Sequence, residues 1–209
     1  MQLVGAPVQR GYHATTKPIS EWLIRLGVTP NAITTVGAVL VVLSAVAFGL
    51  GWIRLGGALL LFSGIIDTLD GQVARQTGRA TRFGAFYDST LDRVGDGATF
   101  IGIATFFLTA PDVRFRVPGA VLAMVAILSS LVVSYARARA EGLGLECKVG
   151  IVQRAERILL IGAPSVLVGA GSGALVLQTV VALLALGSTV TVIQRFLYVR
   201  RVTAEAGEA

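Results

Sequence analysis

Histidine and cysteine are almost missing: the 209 residues hold one of each, His13 and Cys147. A single cysteine cannot close an intrachain disulfide, so a disulfide-stapled secreted scaffold is excluded and the redox compartment stays open. There is no Cys/His zinc spacing, no glycine-rich phosphate loop and no internal repeat. His13 stands alone, and no acid/base or metal role is expected of it. Charge is also scarce: Asp, Glu, Lys and Arg make up 14% of the chain, against roughly 25% in soluble domains. Hydrophobic residues reach 54%, and the mean hydropathy is +0.75. These values exclude an ordinary cytosolic domain and a disordered chain. The net charge of +6 would suggest nucleic acid in a soluble protein. In a chain this apolar it points to topology and anionic substrates, with no nucleic-acid partner. No cleavable signal peptide is expected, because the first 25 residues lack an uninterrupted apolar stretch.

What the chain has in quantity is uncharged sequence. Ala32–Ile53 runs 22 residues without a charge, Val117–Ala136 runs 20, and Ile158–Gln194 runs 37. A helix of about 20 apolar residues crosses a bilayer core. The third run would be roughly 55 Å long as one helix, too long for a single span. It breaks at Gly169-Ala170-Gly171-Ser172-Gly173, so it reads as two spans. The shorter runs Leu55–Ile66 and Gly97–Ala110 each adjoin an Asp-bearing stretch and read as spans whose polar ends reach the interface. The expected fold is all-α and integral to the membrane, with six transmembrane helices.

Ahead of them, Pro18 suits a first helical turn. Ile19, Trp22, Leu23 and Leu26 recur at helical spacing with Ser20, Glu21 and Arg25 opposite. This predicts an amphipathic juxtamembrane helix over about residues 17–27, lying on the membrane. Six spans place both termini on one side, and fifteen of the eighteen Lys and Arg residues fall there. Only Arg54, Arg114 and Arg116 fall on the other side. The positive-inside rule then makes that richer side cytoplasmic. Residues 1–202 read as one membrane domain and 203–209 as a disordered tail.

The chemistry-bearing stretch runs from Asp67 and Asp70, through Gly71, Ala74 and Arg75, to Gly84, Asp88 and Asp92. Asp67 and Asp70 share one helical face, as do Asp88 and Asp92 on the next helix. The short link makes the helices antiparallel neighbours, so four carboxylates converge at the cytoplasmic ends of two spans. Acids at membrane depth are costly and functional by default. No lysine lies in the run to neutralise them. A pair of divalent cations would, and an all-oxygen donor set suits Mg²⁺, Mn²⁺ or Ca²⁺ rather than zinc. Hard cations beside a membrane point to phosphoryl transfer. Gly71 and Gly84 offer bare backbone to a bulky ligand, and Arg75 offers a phosphate-binding fork.

These residues spell D-x2-D-G-x2-A-R-x8-G-x3-D-x3-D, which resembles the signature of the CDP-alcohol phosphotransferase family. All eight fixed positions are present within 26 residues. The resemblance covers the whole chain, since the family is six-spanning with an N-terminal juxtamembrane helix. It implies that Asp67, Asp70, Asp88 and Asp92 hold two metal ions, and that Asp92 also takes the acceptor's proton. It further implies that Asn31, Thr34, Gly71, Arg75 and Thr81 contact the CDP-linked lipid. Asn31 after Pro30 also reads as a helix cap. A homodimer is implied too.

The acceptor is addressed by Ser134-Tyr-Ala-Arg137 and by Gln153-Arg154-Ala-Glu156-Arg157. Both resemble the actinobacterial phosphatidylinositol-phosphate synthase branch, which grips its acceptor with a Ser, a Lys and two Arg. The matching positions are Ser134, Arg137, Arg154 and Arg195, with Arg137 where the branch has Lys. Independently, three arginines from three spans at one membrane face suit an acceptor that carries its own phosphate. The implied reaction moves a phosphatidyl group from CDP-diacylglycerol to inositol phosphate and releases CMP, at the cytoplasmic face of the plasma membrane. Glycerol 3-phosphate is the alternative acceptor. A cation transporter is the rival from another class, and it would need acids at several depths.

Overall fold

A helix over residues 17–25, here α1, begins the part of the chain described by the structure, a computed structural model covering residues 17–205 and Gly207. Arg10 and His13 lie outside the described residues, as do Ala206, Glu208 and Ala209 of the expected tail. Helix α1 stops because Gly27 adopts φ +72°, a conformation open mainly to glycine. The Val28 N–H donates to the Leu23 carbonyl and the Gly27 N–H to the Ile24 carbonyl. This pair of bonds closes the helix end. Leu23, Ile24 and Val28 pack on Ile33, Leu69 and Val73. Ile19, Trp22 and Leu26 point outward and are exposed. The polar-face expectation is corrected at Ser20, which is fully buried. Its hydroxyl donates to the Lys17 carbonyl and accepts from Gln76 Nε2 at 3.2 Å. Packing of Leu23 and Ile24 against the bundle turns Ser20 inward with them.

Six longer helices follow: α2 (Pro30–Gly49), α3 (Ile53–Gln76), α4 (Arg82–Thr109), α5 (Arg116–Glu141), α6 (Arg154–Leu167) and α7 (Leu175–Glu205). No strand occurs among the described residues. The cap of α2 is Thr29, whose hydroxyl accepts from the Ala32 N–H at 3.3 Å, and Pro30 occupies the first turn. Asn31 is therefore inside the helix and not its cap. The uncharged run 32–53 is not one helix either. It ends at Gly49, turns through Gly51 at φ +80°, and Ile53 already belongs to α3. The expected break in the long run is present, with a short 3-10 turn at Ser172–Ala174 between α6 and α7. The tail expectation is corrected over Thr203–Glu205, which continue α7; Thr203 returns its hydroxyl to the Val199 carbonyl at 3.0 Å.

Three of these elements are long and apolar enough, by length and composition, to cross a membrane: Pro30–Gly49, Arg116–Glu141 and Ser172–Glu205. Helices α3 and α4 are longer than α2 but carry the acidic stretches in one half, and α6 has only 14 residues. Helix α2 packs on α3 and α4, α5 on α4 and α7, and α3 on α6. Phe48, Phe100, Ile103, Phe107, Val181 and Leu184 fill the centre. Val39, Val46, Leu128, Leu186 and Phe196 are outward and at least half exposed, the distribution expected of a bundle surrounded by lipid rather than water. Small residues set the closest crossings. A Cβ at Gly102 would fall 2.1 Å from the Ala45 carbonyl oxygen, and one at Gly57 2.8 Å from that of Gly162. The second crossing presses α6 against α3, which decides where Arg154 stands.

Candidate functional site

The first turns of α2 and α4 and the polar half of α3 enclose a cleft of about 210 Å³. Asn31 and Thr34 come from α2, and Asp70, Gly71 and Arg75 from α3. Thr81, Gly84 and Asp88 come from the turn before α4 and its first turns. All five residues expected to meet the CDP-linked lipid therefore line one cleft. Helix N-termini present free N–H groups and a partial positive charge, so two of them suit an anion. Thr81 is also the cap of α4, accepting from the Gly84 N–H at 2.9 Å. A Cβ at Gly84 would sit 3.1 Å from Thr81 Oγ1 and 3.3 Å from Asn31 Oδ1. Glycine there lets both polar groups close on the helix end.

Asp70 and Asp88 line this cleft, and a carboxylate oxygen from each lies within 4.8 Å of the other and of one from Asp67. Asp70 is 7% exposed and accepts from Thr34 Oγ1 at 2.6 Å. Tyr87 and Thr35 share a hydroxyl hydrogen bond of 2.9 Å that ties α4 to α2 beside them. Three carboxylates with their oxygens this close repel unless a cation joins them. Oxygen-only donors fit Mg²⁺ or Mn²⁺.

Asp92 stands outside this trio. Its Oδ1 receives Arg154 Nη2 at 2.9 Å, and its Oδ2 receives Arg93 Nη2 at 3.4 Å. Arg154 also donates Nε to Asp67 at 3.1 Å and Nη1 to both the Asp92 carbonyl and Asp96 Oδ1, at 2.9 and 3.2 Å. So the acids do have a basic neutraliser, brought from 87 positions away in the chain by the α3–α6 crossing. Three further residues belong to this network and were given no site role from sequence: Arg93, Asp96, and Arg157, which donates Nη2 to Asp96 at 2.6 Å. The available signal was spacing, since Asp88, Asp92 and Asp96 form one stripe at four-residue intervals on α4.

The four residues expected at the acceptor's phosphate are not all together. Arg154 is drawn into the acidic network. Arg195 is buried, 3% exposed, and donates Nε to the Val149 carbonyl at 2.9 Å and Nη1 to that of Val133. That puts it beside Ser134, whose hydroxyl returns to the Ser130 carbonyl at 3.1 Å. Arg137, one turn on, is exposed and pairs with Glu141 at 2.8 Å.

Comparison with known proteins adds three findings. Residues 27–202 match the family model described as CDP-alcohol phosphatidyltransferase. The chain is 39% identical over 199 residues to a phosphatidylinositol phosphate synthase of Cutibacterium acnes, covering 91% of this chain and 95% of that one. It is 41% identical over 186 residues to an archaetidylinositol phosphate synthase of Methanothermobacter thermautotrophicus, covering 87% of each. Crystal structures of the Mycobacterium tuberculosis phosphatidylinositol phosphate synthase superpose on it. The form with manganese and citrate gives a TM-score of 0.79 at 34% identity and covers 88% of both chains. The form with CDP-DAG bound gives 0.78 at 33% and covers 88% of this chain and 92% of that one.

Proposed function

This chain belongs to the CDP-alcohol phosphatidyltransferase family, and from that membership we propose that it transfers a phosphatidyl group from CDP-diacylglycerol to inositol phosphate, releasing CMP. The observation that carries the reading is the cleft, where Asn31, Thr34, Gly71, Arg75 and Thr81 open directly onto Asp70 and Asp88. Similarity to synthases whose names share the inositol phosphate product, with two different lipids, supports the acceptor.

In this mechanism the two helix N-termini and Arg75 bind the diphosphate, and the acyl chains extend along the apolar flanks of the bundle. Asp67, Asp70 and Asp88, with Asp92 beside them, would hold divalent ions, Mg²⁺ or Mn²⁺. Such ions, when bound, offset the negative charge of the phosphate oxygens. The acceptor hydroxyl oxygen forms a bond to the phosphorus that carries the lipid, and the bond from that phosphorus to CMP breaks. The hydroxyl proton passes to Asp92, one helical turn from Asp88 on the same face of α4 and outside the trio of crowded carboxylates. Ser134, Arg137 and Arg195 orient the acceptor through its phosphate, whereas Arg154 directs its donors to Asp67, Asp92 and Asp96.

Purified protein given CDP-diacylglycerol and Mg²⁺ should release CMP with inositol phosphate and much more slowly with glycerol 3-phosphate or free inositol. Faster release with glycerol 3-phosphate would make it a phosphatidylglycerol-phosphate synthase. No release with any acceptor would refute the transfer reaction.

The same proposal holds α2–α7 to be six spans, with α1 at the surface, both termini and the cleft cytoplasmic, and the protein a homodimer. Cys147 is fully buried and so silent to a membrane-impermeant maleimide. In intact cells Asp112→Cys should label from outside, whereas Lys148→Cys should label only after permeabilisation. The reverse pattern would overturn the orientation.

A further inference from the structure

Gly187, Thr191 and Arg195 recur at four-residue intervals on α7 and so share one side of that helix. Against this side lies the stretch joining α5 to α6, where residues 145–153 form neither helix nor strand. The Ile151 and Val152 N–H groups both donate to Thr191 Oγ1 at 3.2 Å, and that hydroxyl donates to the Gly187 carbonyl at 2.9 Å. A hydroxyl offers one proton and two lone pairs, so Thr191, which is fully buried, has its whole capacity in use. Glycine makes the fit possible at both points of contact. A Cβ at Gly150, where φ is +139°, would collide with Thr191 Cγ2, and one at Gly187 would sit 2.6 Å from Val152 Cγ2. One turn along α7, Arg195 Nε donates to the Val149 carbonyl at 2.9 Å.

The Arg195 guanidinium is therefore anchored twice, on the Val149 and Val133 carbonyls. Two anchors fix the plane of a rigid fork and so the direction of its remaining nitrogen. The Val133 anchor belongs to α5 and is set by that helix. The Val149 anchor belongs to the irregular stretch, which Thr191 pins two and three residues further on. We propose that Thr191 is a positioning residue: by pinning Ile151 and Val152 it holds the Val149 carbonyl where it aims Arg195 at the acceptor's phosphate. The inference rests on the reading of Arg195 as an acceptor residue and adds what aims it. The lipid side of the site does not depend on Thr191. The cleft is lined by residues between Pro30 and Asp88, and α6 is docked on α3 by its own crossing at Gly57 and Gly162.

The test is the initial rate of CMP release by the purified, detergent-solubilised chain, well below its melting temperature, with inositol phosphate and CDP-diacylglycerol varied in turn. Thr191→Val keeps the shape but offers no oxygen to the two N–H groups. It should lower kcat/KM for inositol phosphate on the order of tenfold, chiefly through KM, because a small misplacement of a binding group is costly. The KM for CDP-diacylglycerol should stay within about twofold. Thr191→Ser keeps the hydroxyl and should recover most of the loss. In an Arg195→Gln background the valine substitution should add little, because the residue it acts through is gone. A threonine that only packs the stretch would lower the melting temperature and leave both KM values alone. That result overturns the proposal, as does equal loss for both substrates, a serine variant as impaired as the valine one, or a further tenfold loss in the Arg195→Gln background. If Thr191→Val fails to fold, Gly150→Ala decides, since its Cβ pushes the stretch off Thr191. The acceptor KM should rise there too, and an unaltered value overturns the proposal. Absence of CMP release from the unaltered chain with inositol phosphate would instead refute the proposed reaction, and this inference with it.

Discussion

Excess chelator is expected to abolish CMP release from the purified protein, and added Mg²⁺ or Mn²⁺ to restore it. The carboxylates of Asp67, Asp70 and Asp88 crowd within 4.8 Å, and among the described residues the ion pairs of the site reach Asp67, Asp92 and Asp96 but neither Asp70 nor Asp88. Arg154 therefore offsets one edge of the cluster and leaves its centre negative. A diphosphate cannot approach that centre without a cation between. Divalent ions supply several kcal/mol of charge stabilisation in phosphoryl chemistry, so the loss should be roughly a thousandfold or more. Asp67→Asn and Asp92→Asn refine the picture. If Asp92 is chiefly the base, its variant keeps CDP-nucleotide binding better than the Asp67 variant does. Equal loss of binding would make Asp92 chiefly a ligand. Full turnover in excess chelator would remove the metal from the mechanism.

The parts of this site that could be read in advance are those set by short-range spacing. Asp67 and Asp70, and Asp88 and Asp92, fall on single helical faces, and the short turn before α4 makes the two helices neighbours. The cleft residues Gly71, Arg75, Thr81 and Gly84 follow from the same hairpin. What could not be read depends on helix crossings between distant segments. The reach of Arg154 into the acids requires the close α3–α6 approach at Gly57 and Gly162, a tertiary fact with no local pattern. The same holds for Ser20, whose burial follows from docking α1 against the end of α3, and for Cys147, which lies between α5 and α6 and is fully enclosed. Asp96 was legible as a stripe on α4, but its partners Arg154 and Arg157 were not. The capping of α2 turned on one residue, because Pro30 at the first helical position makes Thr29, not Asn31, the half-in residue that can accept from the third N–H.

Arg195→Gln is expected to raise the KM for inositol phosphate and leave the KM for CDP-diacylglycerol nearly unchanged. Arg195 already donates Nε to the Val149 carbonyl and Nη1 to that of Val133. These bonds hold it at the C-terminal end of α5 next to Ser134 and one turn from Arg137, and they leave Nη2 to meet an acceptor phosphate. One charge-assisted hydrogen bond of this kind is worth about 1.5–3 kcal/mol, which is roughly a 10- to 150-fold loss in kcat/KM for the acceptor. The lipid substrate should be spared, because the cleft proposed for its diphosphate is lined by residues of α2, α3 and the start of α4 and includes neither Ser134 nor Arg195. The competing account is that Arg195 only ties the segment at Val149 to α5. In that case Arg195→Gln strands two carbonyls, lowers the melting temperature, and degrades use of both substrates together. Arg195→Lys separates the two accounts. It keeps the charge that a phosphate needs but cannot span both carbonyls. Recovery of the acceptor KM in the lysine variant, with the melting temperature still depressed, is the result expected if the residue reads the phosphate. A melting temperature and both KM values that move in parallel through all three proteins would show that it does not.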